Sequence, residues 1–138
     1  MTLEVQATPE EVMRAVEAWR QFGRANRVHE KTLFALALSL EECASNIVNH
    51  SLRCAPGQSF QVSFEHKGDA VMIELRDRGP EFDPTQKLNC HITNEEDTNG
   101  GWGIPLVRRF TDELRYRREH GENVLQLIKR LAEPTAQT

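Results

Sequence analysis

Glu42 and Asn46 stand four residues apart in a stretch, Leu33 to Val48, whose apolar positions recur at helical spacing. A carboxylate and an amide therefore share one face of a helix that is expected to be mostly buried. Ser39 and Asn49 fall on the same side. Such groups are costly to bury unless something polar meets them, so the pattern predicts a polar cavity and, with it, a ligand. A carboxylate ionised at neutral pH can take a proton. An amide oxygen suits a hard cation such as Mg²⁺, which takes few protein ligands and leans on phosphate oxygens and water. Two further segments carry matching chemistry. Asp77-Arg78-Gly79 sets an acceptor carboxylate at the end of a strand pattern, and Gly100-Gly101-Trp102-Gly103 exposes successive backbone N–H groups at a helix entrance, an arrangement suited to phosphate. Alone, the first reads as a plain turn and the second as a linker. In series they describe a site assembled from three parts of the chain.

The elements that must position these residues are legible as changes of period. Leu3 to Ala7 alternates as a short strand. Thr8 then reads as an N-cap, with Pro9 at the first helical position and Glu11 three residues after the cap. Val12, Val16, Trp19 and Phe22 give that helix its buried stripe, to about Arg24. A polar connector from Asn26 to Glu30 leads to the long helix, which begins near Lys31. Phe34, Ala35 and Leu38 extend its apolar surface, so its first half is expected to be buried on most sides. After the break at Cys54-Ala55-Pro56-Gly57, Phe60, Val62 and Phe64 alternate with polar residues. Lys67-Gly68-Asp69 turns into Val71, Ile73 and Leu75, which makes an antiparallel hairpin. Periodicity stops between Arg76 and Gly103, a length of loop that is usually functional in a compact domain. A short helix follows from Gly103 to Phe110, with Pro105 tolerated in its first turn. Strands around Glu113 to Arg118 and Asn123 to Arg130 flank a turn at His120-Gly121-Glu122.

The 138 residues fit one domain, expected over residues 1–132, with a disordered tail over 133–138. A net charge of −4 argues against a nucleic-acid binder. No apolar run is long enough to span a membrane and no signal-peptide pattern opens the chain, so the cytoplasm is the expected location. Cys43, Cys54 and Cys90 show no paired ligand spacing, even taken with His50 and His91, and read as reduced thiols.

In order and spacing, the three segments resemble the N, G1 and G2 boxes of the GHKL (Bergerat-fold) ATPase superfamily, and within it the small anti-sigma-factor serine/threonine kinases. Glu41-Glu42-Cys43-Ala44-Ser45-Asn46-Ile47-Val48-Asn49-His50 is similar to their E-A-x-x-N-A-x-x-H helix. Asp77-Arg78-Gly79-Pro80-Glu81-Phe82-Asp83-Pro84 is similar to D-x-G-x-G-F-D-P, and Gly100-Gly101-Trp102-Gly103-Ile104-Pro105-Leu106-Val107 to G-G-x-G-L-x-L-I. The resemblance runs from about Leu3 to Leu131.

It implies a two-layer α/β sandwich, a mixed and mostly antiparallel sheet with helices on one face, and ATP with Mg²⁺ between the long helix and the irregular lid from Thr85 to Asn99. Glu42 would act as catalytic base toward a serine hydroxyl and Asn46 would hold the metal. Asn49, His50, Asp77, Gly79, Gly100, Gly101, Trp102, Gly103 and Ile104 would join Asn46 around the nucleotide. Asp77 would accept from the adenine amino group, where the guanine carbonyl would meet it acceptor against acceptor. The implied substrate is a serine on a STAS-domain anti-sigma antagonist and the implied second partner a sigma factor. The protein would act as a homodimer, with no direct nucleic-acid or membrane contact. One departure stands out: Glu81 occupies the place of the family's second G1 glycine. A positive φ there would strain a non-glycine residue, and its charge would sit near an anionic ligand. The lid from Thr85 to Asn99 also offers only Lys87 as a cation against Glu95, Glu96 and Asp97. On both grounds the alternative is a non-catalytic GHKL-fold regulatory module that binds nucleotide weakly or not at all.

Overall fold

The computed structural model describes residues 1–52, 57–87 and 103–131. Strand β1 (Thr2–Gln6) leads into helix α1 (Pro9–Ala25), whose start is fixed from both sides. Thr8 Oγ1 accepts the Glu11 N–H at 3.2 Å, while the Glu11 carboxylate reaches back to the Gln6 N–H at 3.2 Å. Helix α2 (Glu30–Asn46) is capped by His29, whose Nδ1 accepts the Lys31 N–H at 3.2 Å. It runs directly into a π-helical turn, Ile47–Ser51, in which the Leu52 N–H donates to Ile47 O at 2.7 Å. Next come β2 (Ser59–Lys67), β3 (Ala70–Asp77), the single turn α3 (Pro84–Lys87), α4 (Gly103–Phe110), β4 (Glu113–Glu119) and β5 (Glu122–Arg130).

The five strands lie in the order β1-β2-β3-β5-β4, and the ladders between them are all antiparallel. The implied two-layer sandwich is what the chain forms. Period-2 alternation sends Phe60, Val62 and Phe64 of β2, Val71, Ile73 and Leu75 of β3, and Leu125 and Leu127 of β5 into one core with Trp19, Leu33, Leu36 and Leu40 from the helices. Trp19 is fully buried and meets its polar need by donating from Nε1 to Leu33 O at 3.0 Å. The reverse face of the sheet carries paired charge instead. There Arg76 bridges Glu74 at 2.8 Å and Glu122 at 3.1 Å.

One expectation for α2 is corrected. Phe34 is 60% exposed, so the first half of the helix is not covered on all sides. α2 is flanked by α1 and α4 and packs into the core below, which leaves its outer side open to solvent. An apolar residue type does not secure burial when no element remains to cover it. Among the described residues, no helix is long and apolar enough to cross a membrane.

Candidate functional site

At one end of the sheet the inward phases of β3 and β5 change character. After Leu75 and before Leu125, the next inward positions are Asp77 and Asn123, which oppose each other in register. Both are buried, at 4% exposure. Asp77 Oδ1 accepts from Ser51 Oγ at 2.5 Å, from the Gly79 N–H at 2.8 Å and from Asn123 Nδ2 at 3.0 Å. Among the described residues nothing donates to Oδ2. A buried carboxylate with one loaded oxygen and one open oxygen is able to accept a hydrogen bond from a donor brought to it.

Gly79 is required by its neighbours. A Cβ there would lie 2.2 Å from Ser51 Oγ and 2.6 Å from Ser51 O. Close approach of backbone to a ligand is one reason for a glycine at this place; the structure shows close approach to the π-helical turn.

Asn123 ties the segment after Asp77 to the β4–β5 hairpin. Its Nδ2 also donates to Pro80 O at 2.9 Å. Its Oδ1 accepts from the Phe82 N–H at 3.1 Å, the Tyr116 hydroxyl at 2.5 Å and Arg118 Nη1 at 3.2 Å. Arg118 Nη1 also donates to Gly79 O at 2.8 Å. Burial, with the charges of Glu81 and Asp83 adding to it, raises the Tyr116 phenol above its ordinary pKa. It therefore stays protonated as a donor at neutral pH.

The helical wall has an unexpected phase. Cys43, Asn46, Ile47 and Ser51 face a recess shared with Asp77, Phe82 and Tyr116, about 320 Å³ including its open mouth. The enclosed part is about 20 Å³, room for about one water molecule. Regular helical spacing from Asn46 would bring His50 to this wall. The π-helical turn holds an extra residue and brings Ser51 instead. His50 is exposed at the rim, its ring stacked on Phe82 with centroids 6.2 Å apart. Asn49 is exposed as well.

Asn46 is half-buried, and its amide has no partner among the described residues. Its oxygen is the kind of donor Mg²⁺ takes beside phosphate and water, so the residue fits a metal role. Glu42, one turn earlier, is half-buried with no hydrogen bond or ion pair among the described residues. Burial, and then the neighbouring Glu41 charge, pushes its carboxyl above the ordinary range. An unpaired carboxylate made more basic in this way is suited to accept a proton. Burial also pushes the Cys43 thiol up to about 12, so it is inert packing. Ser39 drops out of the polar stripe: it is fully buried and donates to Ala35 O at 2.8 Å, within its own helix.

Glu81 is exposed, and positive φ among the described non-glycine residues occurs only at Arg27 and His120. The backbone strain that Glu81 raised as an expectation does not arise. Gly103 opens α4, and the Ile104 side chain is buried in the core, which leaves only backbone groups there for a ligand. Gly100, Gly101 and Trp102, most of the lid, Cys54, Cys90 and His91 lie outside the described residues.

Sequence reasoning missed Ser51, Tyr116 and Asn123. Asn123 was detectable as a polar residue on the inward phase of Leu125 and Leu127. Ser51 had no such signal, because its placement depends on the wide turn.

Residues 5–129 match the model of the histidine kinase-like ATPase domain. Over 133 residues the chain is 28% identical to the serine/threonine-protein kinase BtrW of Bordetella bronchiseptica, covering 95% of this chain and 94% of that protein. Among solved structures it superimposes on a chain of the SiaB–SiaC complex from Pseudomonas aeruginosa with a TM-score of 0.70 at 14% identity, covering 93% of this chain and 88% of that one. The RsbU and RsbW domains of Rv1364c from Mycobacterium tuberculosis give a TM-score of 0.63 at 16% identity, covering 97% of this chain and 33% of that one. At those identities the structural likeness speaks to the fold.

Proposed function

The chain belongs to the histidine kinase-like ATPase domain family, and from that premise we propose that it is an ATP-dependent protein serine/threonine kinase and anti-sigma factor. Its substrate is a serine on a STAS-domain anti-sigma antagonist, and it holds a sigma factor inactive until that antagonist displaces it. The kinase named BtrW, matched along nearly its whole length, supports the activity class. One observation carries the reading at the level of residues: Glu42 and Asn46 make no hydrogen bond or ion pair among the described residues, one helical turn apart, beside a recess where Asp77 keeps an oxygen open.

Each residue has a distinct task. Asp77 binds the adenine amino group through Oδ2. Asn46 would hold Mg²⁺, which would neutralise phosphate charge. Glu42 orients the serine hydroxyl and accepts its proton. Backbone N–H groups of the glycines from Gly100 to Gly103 take the phosphates. Protein kinases of this kind depend chiefly on positioning and charge stabilisation, the work assigned here to these residues.

The alternative, a docking module without catalysis, rests on Glu81 and on the acidic lid, in which Glu95, Glu96 and Asp97 outnumber Lys87. The exposure and ordinary φ of Glu81 weaken the first of these grounds, because the backbone there places no demand for glycine. The deciding experiment mixes the purified chain with radiolabelled ATP, Mg²⁺ and the STAS proteins encoded near it. Phosphoserine on one of them, lost with Glu42→Gln, is the expected result. No transfer to any of them, with ATP bound, would leave the docking module.

A further inference from the structure

An acceptor discriminates between bases only if it cannot turn away from the wrong one. A carboxylate free to rotate can present either oxygen, or let a water intervene, and so lose most of its selectivity. Asp77 has no such freedom. Three donors from three different elements converge on its Oδ1: a hydroxyl from the π-helical turn, a backbone N–H two residues on, and the Asn123 amide from β5. The Asn123 amide is itself fixed. Turning it over would aim its NH₂ at the Phe82 N–H and the Arg118 guanidinium, and would set its oxygen against Asp77 and Pro80 O.

We propose that Ser51 and Asn123 are the positioning residues that set base selectivity, by loading one oxygen of Asp77 and thereby fixing the other as an acceptor toward the recess. The inference rests on the nucleotide-binding reading above and adds to it how selectivity is enforced. The ligand class is a purine nucleotide with an amino group at position 6. A 6-oxo purine turns a carbonyl toward Oδ2, and neither Asp77 nor Asn123 can move to offer it a proton. A site built to accept a donor rejects an analogue that lacks one far more strongly than an apolar pocket rejects a change of size. Ser51 reaches this position through the wide turn, so the irregularity of the helix and the selectivity of the site have one cause.

The test is the ratio of affinities for ATP and inosine triphosphate, which differ in the group at position 6, measured by calorimetry with Mg²⁺ on the full chain. The unaltered protein should prefer ATP by at least about a hundredfold. Ser51→Ala removes one donor with little change in volume and should cut that ratio by roughly tenfold, through weaker ATP binding and inosine triphosphate binding nearly unchanged. Asn123→Ala should cut it further; if that variant fails to melt cooperatively, Ser51→Ala decides alone. A general loosening of the structure would weaken both nucleotides together and leave the ratio intact, and that outcome overturns the proposal. If the unaltered chain prefers ATP and Ser51→Ala keeps the full preference, the selectivity mechanism is wrong while the nucleotide reading stands. If the unaltered chain binds neither nucleotide, both fail.

Discussion

Replacing Glu42 with Gln keeps the side chain's shape and removes its charge and its basicity, and the structure assigns separate consequences to each. Glu42 lies outside the recess that holds Asp77, so ATP affinity should stay within about twofold. Transfer should fall by roughly 10²- to 10⁴-fold, the usual loss when a positioned base is removed. That corresponds to about 3–5 kcal/mol of barrier. Stability gives a second, independent readout. Burial raises the folded-state pKa of Glu42 above its unfolded value, so the folded chain binds the proton more tightly than the unfolded one. Linkage then makes the contribution favourable at low pH and progressively unfavourable as pH rises from the ordinary carboxylate range through the raised folded pKa. The Gln variant has no such proton. It should match the parent protein in acid and equal or exceed it in Tm at neutral pH. Single-turnover transfer from labelled ATP, together with thermal melts at acid and neutral pH, measures both. Undiminished turnover in the variant would refute the base assignment, and a Tm that drops at neutral pH would refute the picture of an unpaired, desolvated carboxylate.

Asn46→Ala should weaken ATP binding in the presence of Mg²⁺ and change it little in the presence of a chelator; calorimetry in both conditions reads the difference. Gly79→Ala should destabilise the fold by about 1–3 kcal/mol, because the new methyl meets Ser51 backbone as well as side chain, and should abolish nucleotide binding in whatever remains folded. Chemical denaturation and calorimetry follow those two effects. Glu81→Gly should lower Tm slightly through added freedom in the unfolded chain, with ATP affinity altered only by the loss of one exposed charge. A sharp gain in affinity or stability would restore the view that this position is strained.

The sheet and helices were legible because their periods are clean. Phe60-Val62-Phe64, Val71-Ile73-Leu75 and Leu125-Leu127 alternate without interruption, and Thr8-Pro9 marks its helix start by chemistry that needs no tertiary context. The residues of the candidate site were legible in part. Glu42, Asn46 and Asp77 could be read because polar groups in apolar patterns require an explanation. His29 was not expected as the α2 cap, since imidazole is not among the usual capping side chains. Phe34 was expected to be buried because its own helix favours that, although burial depends on what the rest of the chain supplies. Ser51 escapes any reading at 3.6-residue spacing, because the backbone abandons that spacing from Ile47 onward.

That wide turn has a corollary for protein engineering and for comparison by alignment. Letters matched without a gap keep count of residues, whereas a wall of side chains keeps count of angle, and past Ile47 the two tallies differ by one. Deleting a single residue between Val48 and His50 would let the coil close into ordinary pitch with hardly any change in length. The hydroxyl would then stand four places after Asn46, the regular spacing for that wall, and would keep the carboxylate it now touches; closing the pitch without removing a residue would carry it away.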